Sequence, residues 1–478
     1  MVLLFFFLEV VSGYQFGSEE INSSWTTISF EETFSGTPVV FTQINSQNEV
    51  DLVVPRLRGV NSTGFSVKLD EGNYYDGVHV NENISWLALE TGELGEIGIR
   101  NYIPLRKFIW GTQAFTTSFS SIPKLFTQIQ SFRNSRLVQV DVRNLSSGGY
   151  ELRLEELPPL FGMINKELVG YLAFEDFPEG EYGILDIDSN WTSVVFNETY
   201  VEVPNVFANV NTENNGESVV VLVRNVTTAG FEMRLGEFPR SDDSHIVEEV
   251  SYLVLGETVK NIAVVSTSSS GVSYIVSTLD DAGHNVTEID SSEISTRLND
   301  FDLLIYPGSS DAVYDYLGDP SLGRSIQNFV DNGGGFIGIC GGSLIAGDYL
   351  YYDGLRIPMM GLLNVNSYEY SSWVSHYVGS AVMLDFLVSS EHEILEDYSL
   401  GDVLAITYAG GPIFTTSTEE IILEFDEDLD ASLTSSAITG SAAVVVGEYG
   451  DGKVVLSSPH PEYSNPELLL EYVDWATS

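Results

Sequence analysis

The sequence predicts a multidomain fold in which three tandem antiparallel β-sandwich repeats are followed by a doubly wound α/β domain. Two observations predict it. In the first half of the chain, aromatic, proline and arginine landmarks recur at constant offsets of 85 and then 81 residues. From residue 261 onward, apolar strands alternate with amphipathic helices. A fixed period indicates tandem units, and strand–helix alternation indicates a largely parallel sheet.

Five landmarks that keep the same spacing define the repeat. They are Trp25, Trp110 and Trp191; Pro38, Pro123 and Pro204; Arg58, Arg143 and Arg224; Gly64-Phe65, Gly149-Tyr150 and Gly230-Phe231; and Trp86-Leu87-Ala88, Tyr171-Leu172-Ala173 and Tyr252-Leu253-Val254. We expect the units at residues 15–95, 96–180 and 181–258, with the α/β domain at residues 259–478.

Short strand-like runs, such as residues 50–54, 137–142 and 218–223, are separated by Asn, Ser, Thr and Gly turns. They predict a small antiparallel β-sandwich in each unit. The proline-led strand, the Asn-rich turn into Gly-Phe and the aromatic-Leu-Ala strand resemble the H-type lectin domain over residues 15–258. This resemblance implies carbohydrate binding, with a glycan or cell-surface partner. The shared residues are mainly core and turn residues, however, and those define a fold rather than a sugar site.

The recurring tryptophans and arginines each have two interpretations. The tryptophans either stack on sugar rings or occupy the core, and their presence in all three units favours the core. The arginines either bind acidic glycans or form structural ion pairs, and we favour the ion pairs.

The first 14 residues also have two interpretations. They are either a signal remnant or the end of a truncated repeat. An apolar run at residues 2–8 supports the first. The repeat offset supports the second, because it aligns residues 86–89 with residues 1–4.

Composition excludes several classes of protein. The formal net charge is −49, from 69 acidic and 20 basic residues. It argues against a nucleic-acid partner, whose phosphates require clustered Lys and Arg. It also predicts a halophile's protein, because molar salt shortens the Debye length to about 3 Å and screens the repulsion. An ordinary acidic protein is the alternative.

Location and membrane association follow from the same composition. We expect an extracellular or cell-surface location, with the cytoplasm of a salt-accumulating, archaeal-like halophile as the alternative. No apolar stretch reaches the length of a transmembrane helix.

The α/β domain begins with apolar strands at residues 262–265, 286–289 and 303–306, and with helices at residues 272–282 and 322–330. This alternation predicts a flavodoxin-like sheet, in which ligands bind beyond the carboxyl ends of the strands. Gly308 and Cys340 both lie at such ends. A closing helix is expected from Pro466 to Ala476.

The most informative stretch of this domain is Gly338-Ile339-Cys340-Gly341-Gly342. It follows an apolar strand and precedes a predicted helix, as in a nucleophile elbow, where the flanking glycines permit a strained turn. Cys340 is the only cysteine in the chain. The alternative is a small buried hydrophobic residue, which is how most lone cysteines behave.

A second stretch lies about 120 residues downstream. A Gly450-Asp451-Gly452-Lys453 hairpin turn leads into a buried strand at residues 454–456, followed by His460 and Glu462. In an extended segment these two side chains project to the same side, so the carboxylate can orient the imidazole while the imidazole faces a thiol.

Four ordered stretches of the C-terminal half resemble the class I glutamine amidotransferase-like superfamily, most closely the domain at the N-terminus of some biotin-protein ligases. They are Leu304-Ile305-Tyr306-Pro307-Gly308 with Asp311 and Tyr314, residues 332–342, Tyr408-Ala409-Gly410-Gly411-Pro412, and residues 449–462. The resemblance implies a catalytic triad of Cys340 as nucleophile, His460 as general base and acid, and Glu462 as the group that fixes the histidine tautomer. It gives no reason to expect biotin ligase activity.

The surroundings of the nucleophile are assigned on the same basis. The N–H of Gly341 and an N–H of the Gly308–Ser309 loop are expected to form the oxyanion hole. The relatives usually carry a second glycine where Ser309 stands. Asp311 and Tyr314 either bind substrate or cap the following segment.

Gly410 and Gly411 either line the substrate pocket or form a turn that needs no ligand. We expect neither cofactor nor metal, since the chain has no P-loop and no dinucleotide fingerprint. His376 and His392 lack partners at metal-ligand spacing and are interpreted as solvated.

Together these features predict a cysteine-dependent amidohydrolase or acyl transferase, acting on a small-molecule or peptide amide and tethered by the lectin-like repeats. The alternative is a carbohydrate-binding or cell-surface interaction protein whose amidotransferase-like domain is not catalytic.

Overall fold

The structure is a computed structural model, and it describes residues 13–71, 75–90, 95–102, 110–156, 165–217, 219–237, 244–377, 380–428 and 438–478. The chain forms two compact units, residues 1–258 and 259–478. Most of the opening segment, for which we weighed a signal remnant against a strand, lies outside the described residues. None of the helices in the described part of the chain has the length and apolar composition needed to cross a membrane.

In its described residues, the N-terminal unit consists of three groups of six β-strands. The first group is β1 (Tyr14–Ile21), β2 (Thr26–Ser29), β3 (Val39–Ile44), β4 (Val54–Asn61), β5 (Gly64–Asp70) and β6 (Glu82–Leu89). The second is β7 (Glu96–Tyr102), β8 (Gly111–Ala114), β9 (Lys124–Ile129), β10 (Val138–Ser146), β11 (Gly149–Glu156) and β12 (Glu167–Phe174). The third is β13 (Glu181–Ile187), β14 (Thr192–Val195), β15 (Asn205–Val210), β16 (Val219–Thr227), β17 (Gly230–Glu237) and β18 (Glu248–Leu255).

Each group pairs its strands in the same way. The first forms two three-stranded antiparallel sheets with the orders β1-β6-β3 and β2-β5-β4. The second and third groups repeat this pattern as β7-β12-β9 with β8-β11-β10, and as β13-β18-β15 with β14-β17-β16. The unit is therefore built from pairs of small antiparallel sheets.

An irregularity in the strand pairing also recurs in every group. The register shifts between Arg58 and Asn61 in β4, and at the equivalent places in β10 and β16. The residue after the recurring arginine has a positive φ each time, 65° at Gly59, 52° at Asn144 and 51° at Asn225. Glycine and asparagine tolerate this conformation best, which explains the turn residues seen in the sequence.

The strand expected at residues 50–54 was wrong for all but its last residue, since β4 begins only at Val54. The preceding loop is held away from the sheet by the Glu82 carboxylate, which accepts hydrogen bonds from the N–H groups of Asn48 (2.7 Å) and Glu49 (3.2 Å). Val50 is consequently 83% exposed. A long-range side-chain contact thus overrides the local β preference of this run.

The three groups also share one core. Phe41, Phe126 and Phe207 occupy equivalent positions in the repeat and belong to a single cluster of buried residues. Within the first group, a separate cluster that includes Val40 and Phe65 joins its two sheets. Burying each such side chain contributes about 1.5–3 kcal/mol, so the shared cluster favours packing of the groups against one another.

The recurring tryptophans do not occupy the core, so the interpretation favoured from their recurrence was wrong. Each is half-buried, and in each a guanidinium lies over the indole ring. The distances to the ring centroid are 3.9 Å for Arg58 over Trp25, 4.2 Å for Arg143 over Trp110 and 3.8 Å for Arg224 over Trp191. The attraction between a cation and an aromatic face holds such pairs at the surface, where the charge stays hydrated.

The arginines of the second and third groups also form ion pairs. Arg143 Nε lies 2.8 Å from Glu151 Oε2, and Arg224 Nε lies 2.8 Å from Glu232 Oε2. In the first group, Ser66 stands at the position of Glu151 and Glu232, so Arg58 has no such ion pair there. The contact common to all three groups is therefore the stacking of the arginine on the tryptophan, as in Arg58 on Trp25.

The C-terminal unit combines helices with a mixed sheet. Its described strands are β19 (Asn261–Val265), β20 (Asn285–Ile289), β21 (Leu303–Tyr306), β22 (Gly335–Ile339), β23 (Tyr349–Tyr352), β24 (Leu355–Pro358), β25 (Val365–Glu369), β26 (Val382–Val388), β27 (Val403–Tyr408), β28 (Ile413–Thr416), β29 (Glu420–Phe425), β30 (Ala442–Tyr449) and β31 (Gly452–Ser457). Its described α-helices are α1 (Gly271–Asp281), α2 (Ile294–Arg297), α3 (Asp311–Gly318), α4 (Pro320–Asp331), α5 (Ser371–Tyr377), α6 (Pro461–Ser464) and α7 (Pro466–Thr477).

The sheet contains both parallel and antiparallel strand pairs, and its parallel pairs include β25 with β23. Strands β20-β19-β21-β22-β31 are parallel neighbours in that order, and β30 then pairs with β31 antiparallel. The order continues as β28-β25-β23-β24, while β29 pairs with β30 and β26. The sheet is therefore mixed rather than doubly wound throughout. From β30 onward the neighbouring strands include hairpins, which need no crossover helix.

Helix boundaries follow local signals in the sequence. Asp319 accepts a hydrogen bond from Ser321 N at 2.9 Å, and Pro320 opens α4. Asn465 accepts one from Leu468 N at 3.2 Å ahead of Pro466, which opens α7. A side-chain cap followed by proline is a favoured helix start, because the cap satisfies a free N–H and proline has none to satisfy.

Both faces of the sheet are covered. In β22, Ile337 packs into the cluster that contains residues of α1 and α7, whereas its neighbour Phe336 packs into the cluster that contains residues of α4. Alternate residues of a strand face opposite sides, so a strand buried on both sides is apolar throughout. This central position fixes the end of β22, where Cys340 follows.

Candidate active site

Cys340 lies directly after β22 in a strained backbone conformation. Its φ is +48°, in the left-handed region that a residue with a side chain seldom adopts. The side chain is half-buried. Residues Cys340–Ile345 form a 3₁₀ helix rather than the α-helix start expected from the sequence. Since no α-helix begins at this turn, the charge state of Cys340 depends on the nearby side chains rather than on an α-helix dipole.

The glycines around Cys340 are required by close contacts. A Cβ on Gly342 would lie 1.9 Å from the carbonyl oxygen of Tyr306, and one on Gly338 would lie 2.7 Å from Ser343 Cα. Real Cβ atoms do not approach backbone this closely. The elbow thus packs against the end of β21 in a way that only glycine permits.

His460 stands beside Cys340 across Gly308. A Cβ added to Gly308 would lie 2.5 Å from His460 Cε1 and 3.0 Å from Cys340 Cβ, so all three residues meet at one point. His460 is 3% exposed, and its backbone N–H donates a hydrogen bond to Thr407 O at 2.8 Å. Its ring position is fixed by this backbone bond as well as by its neighbours.

Glu462 contacts the Nδ1 atom of the His460 ring. His460 Nδ1 lies 2.8 Å from Glu462 Oε1, and Glu462 is also 3% exposed. Contrary to the extended geometry expected, Glu462 lies in the short helix α6, which begins at Pro461. The turn of this helix, rather than strand alternation, brings the carboxylate back to the imidazole.

Glu462 also lies at the start of α1, where a Cβ on Gly271 would lie 2.7 Å from Glu462 Oε1. The N-terminus of an α-helix favours negative charge. Among the described residues, His460 Nε2 has no hydrogen-bond partner, and Cys340 is the neighbour with the largest favourable effect on the protonated ring. The arrangement leaves one nitrogen paired with a carboxylate and the other available to Cys340.

The electrostatics of the pair follow from this geometry. Burial lowers the pKa of His460, but the Cys340 thiolate and the Glu462 carboxylate outweigh burial, and the pKa stands well above its ordinary value. The protonated imidazole is thus favoured by two negative neighbours. An imidazolium between a thiolate and a carboxylate is the resting form that suits a cysteine nucleophile.

The residues expected to form the oxyanion hole lie around the same point. A Cβ on Gly341 would lie 2.3 Å from Ser309 O and 2.9 Å from Ser309 N. Gly308, Ser309 and Gly341 are therefore brought together.

Asp311 and Tyr314 differ in their surroundings. Asp311 accepts hydrogen bonds from Ser268 N at 3.0 Å and Ser268 Oγ at 2.9 Å, and these bonds, with a further contribution from Ser309, lower the pKa of its carboxyl. It therefore joins the loop after β19 to the loop after β21. Tyr314 is 72% exposed, on α3.

Gly410 and Gly411 are packed by backbone contacts. Gly410 has a φ of +90°, and a Cβ there would lie 3.3 Å from Val374 Cα. A Cβ on Gly411 would lie 2.3 Å from Ser458 O, just ahead of His460 in the chain. These contacts account for the turn, which supports the segment that carries the histidine.

His376 and His392 stand apart from the site. His376 is exposed, and His392 Nδ1 accepts a hydrogen bond from Ile394 N at 3.2 Å. Burial lowers the pKa of His392, which is therefore not the solvated histidine we expected. Within the described residues, neither belongs to a group of side chains close enough to hold a metal ion.

Comparison with known proteins identifies the C-terminal unit. The CobB/CobQ-like glutamine amidotransferase domain family matches residues 261–378, and the N-terminal domain family of biotin-protein ligase matches residues 365–474. The C-terminal unit is glutamine amidotransferase-like. The resemblance stated from the sequence is thereby confirmed.

Two curated relatives match parts of the chain. Halomucin of Haloquadratum walsbyi is 32% identical over 167 residues, which is 32% of this chain and 2% of that protein. Cobyric acid synthase of Prochlorococcus marinus is 31% identical over 118 residues, which is 24% of this chain and 22% of that protein. The chain thus spans under a quarter of the length of either relative.

Among solved structures, a cold-adapted β-galactosidase from Rahnella is 13% identical. The match covers 46% of this chain and 31% of that chain, with a TM-score of 0.31. A likeness this distant carries no conclusion about substrate.

The amidotransferase-like unit also contains two site residues that the sequence did not single out as such. Tyr408 is fully buried and donates a hydrogen bond to Gly411 O at 2.7 Å. Burial, followed by the charges of Cys340 and Glu369, raises the pKa of Tyr408 well above its ordinary value. Glu369, at the end of β25, is thus close to the same region as Cys340.

Glu369 is itself unusual. It is 8% exposed, and burial together with the nearby Asp353 raises its pKa to about 7. A carboxyl group that is half-protonated near neutral pH is a candidate proton donor or substrate ligand. No short motif marks Glu369, because its properties arise from burial in the folded sheet.

Glu369→Gln is expected to stabilise the protein at pH 8 by about 2–3 kcal/mol. Between pH 4.5 and about pH 7, the Glu369 carboxyl keeps its proton in the folded chain but has released it in the unfolded chain. The native carboxyl therefore opposes folding increasingly as the pH rises through this range. At pH 4 the variant and the native chain should be equally stable. Denaturant unfolding at both pH values, with the exposed Glu448→Gln as control, measures this. Equal stability at pH 8 would contradict it.

Proposed function

We propose that this protein is a cysteine-dependent amidohydrolase or acyl transferase, tethered by its β repeats. The observation that carries the proposal is the contact of Cys340, at a φ of +48°, with His460, whose Nδ1 is 2.8 Å from Glu462. A nucleophile on a strained turn, a base within reach and an acid that orients the base are the parts that covalent acyl transfer requires.

In the first half-reaction, the Cys340 thiolate attacks the carbonyl carbon of an amide or ester, and the carbonyl electron pair moves to oxygen. When the tetrahedral intermediate collapses, His460 Nε2–H transfers its proton to the leaving amine or alcohol. The products are a thioester on Cys340 and neutral His460. Glu462 keeps the imidazole in the tautomer that this transfer needs.

In the second half-reaction, water attacks the thioester and His460 Nε2 accepts its proton. Collapse of this intermediate releases the carboxylic acid and restores the thiolate and the imidazolium. An amine in place of water gives acyl transfer instead. The same residues thus serve both reactions.

Stabilisation of the oxyanion is assigned to the N–H of Gly341 and an N–H of the Gly308–Ser309 loop. Donors must lie about 2.7–3.1 Å from the oxyanion. The close approach of Gly341 to Ser309 brings these two segments together. We assign substrate contacts to Asp311, Tyr314, Gly410 and Gly411.

The β repeats are assigned an H-type lectin-like role, which is to hold the enzyme on a glycan or at a cell surface. The recurring aromatic side chains are those of Trp25, Trp110 and Trp191, which are half-buried. Besides the recurring arginine, each ring has a second cation over it, Lys68 at 5.7 Å, Arg153 at 4.6 Å and Arg234 at 5.1 Å respectively. A sugar would therefore bind against the exposed edge of the indole or beside a guanidinium.

The proposal is tested by incubating the full chain with p-nitrophenyl acetate in molar salt and measuring intact mass. We expect one acetyl group on the native chain and none on Cys340→Ser. A screen for ammonia release from glutamine and small peptide amides then defines the substrate. Failure of the native chain to acylate, while it remains folded, would contradict the proposal.

One observation favours the alternative, a carbohydrate-binding or cell-surface protein with a non-catalytic domain. It is Ser309, which stands in the expected oxyanion-hole loop where the relatives usually carry a second glycine. Under this alternative, the chain binds a glycan array in molar salt and Cys340 does not acylate.

A further inference from the structure

Two histidines of the β repeats lie between carboxylates. His79 precedes β6 and His245 precedes β18, at equivalent positions of the first and third repeats. Both are nearly fully buried, at 3% and 4% exposure. The second repeat carries Ile164 at this position, outside the described residues; it keeps Glu71 and Glu82 as Glu156 and Glu167 but has Asn134 in place of Glu49. Two of three repeats thus share a polar cluster that the fold itself does not require.

In the first repeat, both ring nitrogens of His79 lie within hydrogen-bond distance of a carboxylate. His79 Nε2 lies 3.2 Å from Glu82 Oε1, which also accepts hydrogen bonds from the N–H groups of Asn48 and Glu49. Ser46 Oγ also donates to the Glu82 carboxylate. Held by these donors, Glu82 faces Nε2 and so orients the ring, while Nδ1 points to the remaining carboxylates.

The other nitrogen faces two further carboxylates. His79 Nδ1 lies 3.0 Å from Glu71 Oε1 and 3.3 Å from Glu49 Oε2. Ligand atoms about 2.1 Å from a tetrahedral metal ion are about 3.4 Å apart, so these two separations are near those of a metal site. The three ligand atoms all lie within 4.8 Å of one another. A carboxylate that orients a metal-bound histidine through its other nitrogen, as Glu82 does here, is the usual supporting contact.

Charge supports the same conclusion. The cluster brings together Glu49, Glu71 and Glu82 around one imidazole, and the ion pairs these carboxylates make among the described residues are with His79 alone. Burying the charges of Glu71 and Glu82, whose side chains are 1% and 2% exposed, is costly unless cations offset them. A divalent cation offsets more of this charge than a single proton on the ring. Glu49 is 31% exposed on its side chain, which leaves a path from solvent.

The third repeat has a related but tighter cluster. His245 Nε2 lies 3.1 Å from Glu248 Oε1, and Nδ1 lies 2.6 Å from Glu237 Oε1, with Glu217 nearby. Glu237 is 6% exposed, and its Oε2 has no hydrogen-bond partner among the described residues. A separation of 2.6 Å is that of a hydrogen bond, so a cation enters here only if Glu237 turns.

We propose that Glu49, Glu71 and His79 bind a divalent cation of the zinc class, with Glu82 orienting the histidine. Nitrogen and carboxylate ligands in a set of three favour Zn²⁺ or a neighbouring transition metal over Ca²⁺, which prefers six or more oxygens. Glu217, Glu237 and His245 form the weaker, second site. The cation stabilises the loop before β4 against the start of β6.

The test is a calorimetric Zn²⁺ titration of the full, metal-stripped chain in molar salt, with Co²⁺ absorption as a second readout. His79→Ile, which copies the second repeat, should lower the stoichiometry by one and abolish the stronger Co²⁺ spectrum. Glu49→Gln, at a partly exposed position, should weaken binding about tenfold or more while the chain remains folded. His376→Ala is the control and should bind as the native chain does.

Two results would overturn the proposal. One is unchanged Zn²⁺ binding in the His79→Ile/His245→Ile double variant. The other is a ¹⁵N spectrum in which both nitrogens of His79 remain protonated when Zn²⁺ is added, which would make the cluster a buried imidazolium only. The Glu49→Gln variant keeps the test decisive if His79→Ile fails to fold.

Discussion

Replacing His460 by alanine is expected to slow acylation of Cys340 by p-nitrophenyl acetate by roughly 10²–10⁴-fold, the usual contribution of a positioned general base and acid. His460 contacts Cys340 across Gly308, and its other nitrogen is held by Glu462. Without the imidazole, the thiol loses both its proton acceptor and a neighbouring positive charge. The measurement is nitrophenolate release, checked by intact mass.

His376→Ala provides the matched control, since this histidine is exposed on α5 and stands apart from Cys340. It should acylate at the native rate. If His460→Ala also acylates at the native rate while folded, then the thiol acts without the histidine and the assigned dyad is wrong.

Replacing Gly342 by alanine is expected to lower the free energy of unfolding of the C-terminal unit by about 3 kcal/mol or more. The added Cβ would lie 1.9 Å from Tyr306 O and 2.9 Å from Pro307 O. Both are backbone atoms at the end of β21, a fully buried strand that pairs with β22 and does not yield as a side-chain tip would. Denaturant unfolding in molar salt measures the loss.

The control for this substitution is Gly318→Ala at the end of α3. A Cβ there meets no atom within 4 Å, and the position is helical. It should leave stability unchanged or raise it by about 0.5–1 kcal/mol, the usual gain for alanine over glycine in a helix. Equal stability of the Gly342 and Gly318 variants would show that the elbow is not tightly packed.

The parts of the fold that depend on residues close together in the sequence could be predicted from the sequence alone. The hairpin at Gly450 and the apolar strand before Cys340 are both present, and α4 begins two residues before the predicted helix. Their signals, glycines in a turn, an apolar run and a helical period, are local. The repetition of one pair of sheets could also be predicted, because the constant offset shows that residues in equivalent structural environments recur along the chain.

The same offset does not say which environment is repeated, and this explains the error at Trp25 and its equivalents. A residue that recurs to stack beneath Arg58 gives the same sequence signal as one that recurs in a core. Only the register of β4, with its bulge after Arg58, places the guanidinium over the ring.

The candidate site shows a similar division. Cys340 and His460 are recognisable because each lies in a motif with its own turn chemistry. Glu369 is not, since its raised pKa depends on burial beside Asp353 and on its position near Tyr408. His79 and His245 did carry a signal, because they keep the spacing of the repeat, although aromatic and arginine landmarks alone do not reveal them.

The central claim is that Cys340 and His460 form an ion pair, and the most direct test is an NMR titration of His460. The chain has six histidines, and His460→Ala assigns the relevant signal. In the native chain, His460 should titrate well above its ordinary range, because the charges of Cys340 and Glu462 outweigh burial. In Cys340→Ser, the larger of the two contributions that raise the pKa of His460 is removed, and the midpoint of its titration should fall. The same midpoint in both chains would contradict the account.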